Sequence, residues 1–492
     1  MGSNSTFSSH ARLTIVTMAF MGMLVTYVET MITPALPTLV TFFSTNYDTL
    51  AWVITGYILA GTVSAAIFGR LADMYGKKRI FVILATIYSV AITLGGFARS
   101  LDVFVAIRAV QGLGMGMFPV AFALLNDQVP KRNLALAQGI LSSTFIGGTA
   151  VGLVGGAWIT QNFGWEWSYH SAIPLAYFLA ILAATSLKDT PLRVREKLDF
   201  FGVTFLSIGL VSLILGISEG QYWGWYSMRI LGTFAVSALS LSLFVYMESK
   251  ASHPFISMKL LRIKNVFLSN FAGLFVMSAM FFMFFTVPPM LEDPAPAGFS
   301  ESVLTAGLSM LPAALTSMAF APISALITRN RGPKTSILIG NLVVFIAYVG
   351  FYFNRASIDA ILEDATMVGV GMSFVFVGII NILLLSTPES EAGASTGMNV
   401  VFRNIGSAIA PAVGGVFETT FVQYAIVGYM PGSIAGLPFI PIFHSFPSSI
   451  AFSDVYLVGM IFLVVSVIFT FMMNNIVIRK EENFQSVALK EG

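Results

Sequence analysis

Apolar runs of about twenty residues recur along the whole chain, separated by short clusters of Gly, Pro and charge. At 1.5 Å of rise per residue, about twenty helical residues cross a hydrocarbon core of about 30 Å. No water reaches the backbone there, so each crossing segment must satisfy its own N–H and C=O groups, which an α-helix does. Composition agrees with lipid as the solvent: 56% of the 492 residues are hydrophobic and only 10% are charged. A water-soluble chain of this length needs far more polar surface. The runs divide the chain into roughly fourteen helical spans, the first over 13 to 37.

Alternate loops carry the basic residues. One side holds Arg70, Lys77, Lys78, Arg79, Lys131, Arg132, Lys188, Arg193, Arg195 and Lys197, and continues through Lys250, Lys259, Arg262, Lys264, Arg329, Arg331, Lys334, Arg479, Lys480 and Lys490. The other side has Arg99, Arg229 and Arg355. Cytoplasmic loops retain Lys and Arg, so both termini are expected in the cytoplasm. The segment 421–452, rich in aromatics, Pro and Gly, reads as an irregular external loop resting on the helices.

The composition also narrows function. A net charge of +2, without a basic tail, offers nucleic acid no footprint. The chain has no cysteine, and its four histidines show no metal-ligand spacing. Neither paired catalytic carboxylates nor a nucleophile with its base can be picked out. Gly2 and Thr6 formally fit a myristoylation pattern, as short Ser-rich tails do by chance.

Ionisable groups inside spans are costly and default to function. Glu29, Arg108 and Arg403 are the clearest. Arg108 lies about 8 Å from the outer end of its span and Glu29 about 12 Å from Pro37, which places them in one layer. A carboxylate and a guanidinium there can neutralise each other, and protonating the acid would free the arginine. The plainer alternative is a static pair that orients helices. Arg403 has no acid in register, and its partner cannot be named; Gln111 and Asn404 are further buried polar groups of open role. Asn126 and Asp127 close the fourth span near the cytoplasm, where an acid can face the following basic loop or cap a helix, a cap being the expected use, while Glu292 and Asp293 are expected to be solvated outside. Glycines at Gly61, Gly69, Gly112 and Gly116 suggest close helix packing.

The loop Gly69-Arg70-Leu71-Ala72-Asp73-Met74-Tyr75-Gly76-Lys77-Lys78-Arg79 resembles the signature loop of the major facilitator superfamily. Arg108-Ala109-Val110-Gln111-Gly112-Leu113-Gly114 is similar to the superfamily's second motif with its buried arginine, and 328–334 looks like a degraded copy of the first loop. The stretch from Gly147 to Gly156, including Gly152 and Gly155, resembles the antiporter motif, with Val151-Gly152 where that motif has Gly-Pro. Trp165 to Tyr169, Pro174 and the pattern ending Ala35-Leu36-Pro37 are similar to the fourteen-helix drug:proton antiporter branch. In that pattern Val28 holds the expected aspartate position and Glu29 sits one residue along.

The resemblance implies an all-α polytopic membrane protein: two six-helix bundles of major-facilitator type plus two extra central helices. The expected division is a tail over 1–12, a first bundle over 13–187, a linker over 188–199, inserted helices over 200–248, a linker over 249–265, a second bundle over 266–478 and a tail over 479–492. It implies a multi-pass protein of the cell membrane, monomeric, without cofactor or metal, which exports lipophilic or weakly charged small molecules in exchange for protons. Glu29 and Arg108 would couple protons, Gly69, Asp73, Gly76, Lys77, Lys78 and Arg79 would form the cytoplasmic gate loop, and Gly147, Gly152, Gly155 and Gly156 would line the antiporter-motif helix. The alternatives are a dedicated exporter of one metabolite or lipid-like compound and, from another class, a non-transporting sensor or an intramembrane enzyme.

Overall fold

Long helices account for nearly every apolar run in the computed structural model, which describes residues 9–188, 200–251, 258–388, 392–434 and 437–476. The pattern at Gly2 and Thr6, most of the 188–199 linker, part of the 249–265 linker and the 479–492 tail lie outside the described residues, as does the side chain of Asp73. The first part of the chain forms α1 (Ser9–Thr30), α2 (Leu36–Phe42), α3 (Tyr47–Tyr75), α4 (Lys77–Gly95), α5 (Leu101–Gly112), α6 (Met117–Gln128), α7 (Lys131–Phe163) and α8 (Trp165–Ser186). The middle supplies α9 (Phe200–Ser218), α10 (Gly220–Trp223), α11 (Met228–Lys250) and α12 (Met258–Leu261). The remainder forms α13 (Lys264–Glu292), α14 (Val303–Arg331), α15 (Pro333–Phe353), α16 (Ile358–Ser386), α17 (Ala392–Thr420), a hairpin of β1 (Val422–Ile434) and β2 (Leu437–Pro447), and α18 (Ser449–Met472).

Among the described residues 13 helices are long and apolar enough to cross a membrane. The 33-residue α7, which is not among them, would extend about 50 Å, long enough for a further crossing. The helices α1 and α3 to α8 pack on one another, α13 to α18 do the same, and the two groups meet along α3 against α17 and α7 against α14. The paired α9 and α11 form the extra element, with α9 touching both α3 and α17.

Local chemistry explains several boundaries. Asn46 caps α3 by accepting the Thr49 N–H at 2.8 Å, and Ser302 caps α14 by accepting the Thr305 N–H at 3.1 Å. Gly76 turns α3 into α4 with φ of +103°, a conformation closed to most side chains. Gly332 makes the equivalent corner between α14 and α15 with φ of +88°, so the degraded copy over 328–334 repeats the backbone geometry of the first loop. The first span is broken rather than continuous: α1 stops at Thr30, a 3₁₀ turn spans Thr33–Ala35, and α2 resumes at Leu36. Pro34 and Pro37 lack the N–H groups that a continuous helix would use. The span holding Arg108 is interrupted likewise, by a 3₁₀ segment over Leu113–Gly116.

The region expected to be an irregular loop contains an antiparallel hairpin, with Val422 opposite Pro447 and Ile434 opposite Leu437. Two irregularities, at Ile426/Gly428 and Pro431/Ile434, absorb the Gly and Pro residues that hide its strand pattern. An accessibility tag inserted at Gly432 is expected to be labelled by a membrane-impermeant reagent in intact cells. Labelling only after permeabilisation would mean that the span count is wrong.

Candidate functional site

The mid-depth polar core of the first helix group is built around Arg108. This arginine is 1% exposed, yet among the described residues no carboxylate touches it. Instead Nε donates to Val53 O at 3.1 Å, while Nη1 donates to Val28 O at 3.0 Å and to Gln111 Oε1 at 3.1 Å. The guanidinium lies 4.3 Å from the centroid of the Tyr57 ring. Gln111 in turn donates from Nε2 to Ala91 O at 2.9 Å. Carbonyl dipoles and a ring face thus hold the cation. This set ties α5 to α1, α3 and α4, and Gln111 reads as part of that scaffold.

Glu29 is half-buried, and no described residue hydrogen-bonds its carboxylate. It forms no ion pair with Arg108 within 4.0 Å; the arginine grips the backbone of the adjacent Val28, whose side chain is fully buried. Glu29 therefore stands one residue before the end of α1, partly accessible, beside the break in the span. The acid and the guanidinium share a layer without a direct bond between them.

Opposite this segment runs the glycine face of α7. A Cβ on Gly148 or Gly152 would overlap Thr26 or Thr30, and one on Gly156 would lie 2.6 Å from Met31 Cα. Thr30 Oγ1 also donates to Thr149 O at 3.3 Å. Gly147 meets nothing within 4 Å and Gly155 makes only ordinary contact at 3.8 Å, so these two do not belong to the close approach. Sequence reasoning missed Gly148. The signal was available: stepping by four from Gly148 gives three glycines in line, whereas the register of Gly147 and Gly155 passes through Val151. Gly112 and Gly116 similarly admit α3, and Gly61 sits against Met115 and Gly112 O, whereas Gly69 meets Pro119 at an unremarkable 3.7 Å.

At the basic end of the same group, Lys77 Nζ lies 2.6 Å from Asp127 Oδ2. Asp127 stands in the last turn of α6, where no backbone N–H awaits a cap, so the expectation of a cap is replaced by this ion pair to the start of α4. No ion pair within 4.0 Å involves Lys78 or Arg79 among the described residues.

Across the two helix groups, the hydrogen bonds among described residues lie toward the outer ends. Tyr47 Oη donates to Asp293 Oδ1 at 3.0 Å, the Asp48 N–H to Thr419 Oγ1 at 3.3 Å, Thr55 Oγ1 to Ala408 O at 3.2 Å and the Leu304 N–H to Gln161 Oε1 at 2.9 Å. Backbones also close in there, with a Cβ on Gly415 falling 2.7 Å from Asp48 Cα. Asp293 is 3% exposed and Glu292 is half-buried, which corrects their reading as solvated acids: the outer ends of the two groups close over them. Burial pushes the Asp293 carboxyl up to about 7, and the Tyr47 hydrogen bond offsets part of this. Protonation thus favours the closed seam, and ionisation as the pH rises above about 7 opposes it.

In the second helix group Arg403 is half-buried on α17. Its guanidinium lies 4.9 Å from the Phe376 ring centroid, and its Nε is buried without a partner. Asn404, beside it, is half-buried and receives no hydrogen bond from a described residue. One turn earlier, Asn399 Nδ2 donates to Asn270 Oδ1 at 3.1 Å. Asn270 and Asn399 also escaped sequence reasoning, although each is a lone amide within an apolar run.

The helix arrangement and this pair of polar cores define a membrane transporter built from two related helix groups. The match of the Major Facilitator Superfamily family model to residues 18–411 makes the chain a member of that superfamily. Over 417 residues it is 26% identical to the multidrug transporter protein MdtP of Bacillus subtilis, covering 84% of this chain and 74% of that one. It is 27% identical to the tetracenomycin C resistance and export protein of Streptomyces glaucescens, covering 83% and 76%. Its fold is similar to the xylose transporter XylE from E. coli in a partially occluded inward open conformation, with TM-score 0.61 and 12% identity, covering 94% and 98%. The chain is a multi-pass transporter and not an enzyme.

Proposed function

We propose that this transporter exchanges protons for lipophilic or weakly charged small molecules, moving them out of the cell by alternating access between two helix bundles over 13–187 and 266–478. The observation that carries the reading is the asymmetric seam. Three hydrogen bonds and a backbone approach join the groups near their outer ends and a fourth, from Thr55 to Ala408, lies deeper, while Gly397, near the cytoplasmic end of α17, faces open space. Such an arrangement supports an inward-facing member of a two-state cycle, in which the outer contacts break as inner ones form. Glu29 suits the proton site because it is the acid farthest inside a span, partly accessible and free of fixed donors. The gate loop, including Asp73, Lys77, Lys78 and Arg79, would latch the inner side in the alternate state.

Relatives named for multidrug transport and for export support efflux as the direction. A dedicated exporter of one compound is the second reading, favoured by the relative named for tetracenomycin C. Proteoliposomes loaded with a panel of labelled lipophilic compounds decide between them. A pH gradient is expected to drive accumulation of several compounds at least tenfold over its absence; accumulation of one alone supports the dedicated exporter. Flux that ignores the gradient removes proton exchange.

A further inference from the structure

Two arginines sit at mid-depth, one in each helix group, and their surroundings are opposite in kind. The hydrogen bonds of Arg108 go to three acceptors: two carbonyl oxygens and an amide oxygen. Among the described residues Arg403 has none: its Nε is buried without a partner, no hydrogen bond from either Nη reaches an acceptor, and no carboxylate lies within 4.0 Å. The nearest acid on its own helix, Glu418, is about four turns away, or about 22 Å. On the helices beside it, Glu292 ends α13, and Asp359, Glu363 and Asp364 stand in the first two turns of α16, so every described acid is near the outer ends.

The surroundings of Arg403 are donor-rich as well. A Cβ on Gly273 of α13 would fall 3.1 Å from Asn399 Nδ2 and 3.4 Å from Arg403 Cγ, which places both side chains against one glycine gap. Asn399 spends its Nδ2 on Asn270 Oδ1, leaving Asn270 Nδ2, on a side chain that is 0% exposed, without an acceptor. The unmet needs of this spot are therefore N–H groups, on a guanidinium and on a buried amide. A cation and an amide left without acceptors each carry a desolvation cost that a bound anion would remove. Phe376, whose ring lies 4.9 Å from the guanidinium, makes the wall beside the charge apolar, which suits the hydrophobic body of an amphipathic anion.

From this geometry we infer that Arg403, with Asn270 and Phe376, forms an anion-accepting subsite for an amphipathic aromatic or lipid-like molecule bearing a carboxylate, sulfonate or phosphate. The inference narrows the substrate class of the transporter reading and rests on it for the word substrate, though the binding it predicts does not require flux. Half-burial suits such a site. The guanidinium is shielded enough for a charge-assisted bond to be strong, and open enough for a ligand to reach it.

The test uses the purified full-length protein in neutral detergent, with fluorescent 9-anthracenecarboxylate and its uncharged carboxamide as probes. The carboxylate is expected to bind at least ten times more tightly than the carboxamide. Arg403→Gln is expected to erase that preference while leaving carboxamide affinity within twofold, which also certifies the fold. Arg403→Lys, which keeps the charge and loses the fork, is expected to fall between. Without any variant, benzenesulfonate should displace the anionic probe and benzenesulfonamide should not. Displacement by phosphatidylglycerol added to the micelles, with none by benzenesulfonate, would support the anion site and assign its occupant to lipid headgroups. Equal binding of carboxylate and carboxamide, or an undiminished preference in Arg403→Gln, overturns the subsite. If proteoliposomes show no flux of any compound while the preference holds, the transporter reading fails and the anion site stands.

Discussion

Replacing Arg108 with alanine is expected to produce the largest loss of stability of any single change in the first helix group. The substitution takes the guanidinium away from Val28 O and Gln111 Oε1, and removes a second donor from Val53 O, which keeps its N–H partner within α3, while a cavity opens where the side chain lay. A buried acceptor without its donor costs about 1–3 kcal/mol, and the lost contact with the Tyr57 ring adds to that. The effects fall on one hub that joins α5 to α1, α3 and α4, so they should appear as cooperative loss of folded protein. Size-exclusion profiles and thermal midpoints of the purified variant would read this. Arg108→Lys should be intermediate, because one ammonium cannot reproduce the planar fork toward three acceptors. A thermal midpoint of Arg108→Ala equal to that of the parent would mean that the carbonyl cage contributes little and that the arginine serves elsewhere in the cycle.

That hub shows what a sequence discloses and what it withholds. A guanidinium in an apolar run was visible at once, and so was the depth it shares with Glu29, since both follow from 1.5 Å per residue. The partner was not. Depth ignores azimuth: the arginine reaches the carbonyl of Val28 while the carboxylate of Glu29, about 100° around the helix, faces elsewhere. Backbone acceptors are also invisible in a sequence, because every residue has one. The breaks at Met31–Ala35 and Leu113–Gly116 leave only ambiguous marks, Pro in one case and Gly in the other, and either could sit in an intact membrane helix.

The seam was legible least. Its residues, Tyr47, Asp48, Asp293 and Thr419, come from span ends where solvated polar groups are ordinary, and only the docking of two distant helix groups buries them. The glycine face of α7 was legible in kind and misplaced in phase, because a row of small residues every four positions has to be followed through its interruptions. By contrast, the many long apolar helices needed only hydropathy to be read, an average over many residues that local irregularity does not disturb.

Glu29→Gln is expected to abolish accumulation of substrate against a pH gradient while leaving substrate binding within about threefold of the parent. Glutamine keeps the size of the side chain and fixes it in the neutral form, so a step that needs the carboxylate to release a proton stops, while packing around α1 is preserved. The geometry makes this a clean experiment. Because Arg108 is held by carbonyls, neutralising Glu29 strands no buried cation, and the variant should fold as the parent does. The partly accessible carboxylate stands next to the end of α1, and Thr30 is hydrogen-bonded to Thr149 on the glycine face of α7. A change of charge at Glu29 therefore acts where one segment of the span can shift against another helix with little side-chain interlock. Counterflow under equal pH on both sides should persist in Glu29→Gln, since it requires the conformational cycle but no proton release. If Glu29→Gln still concentrates substrate when a pH gradient is imposed, the proton is carried elsewhere. The buried acids of the outer seam, Asp293 first among them, then become the groups to replace, because they too pass between a closed site and the outside as the seam opens.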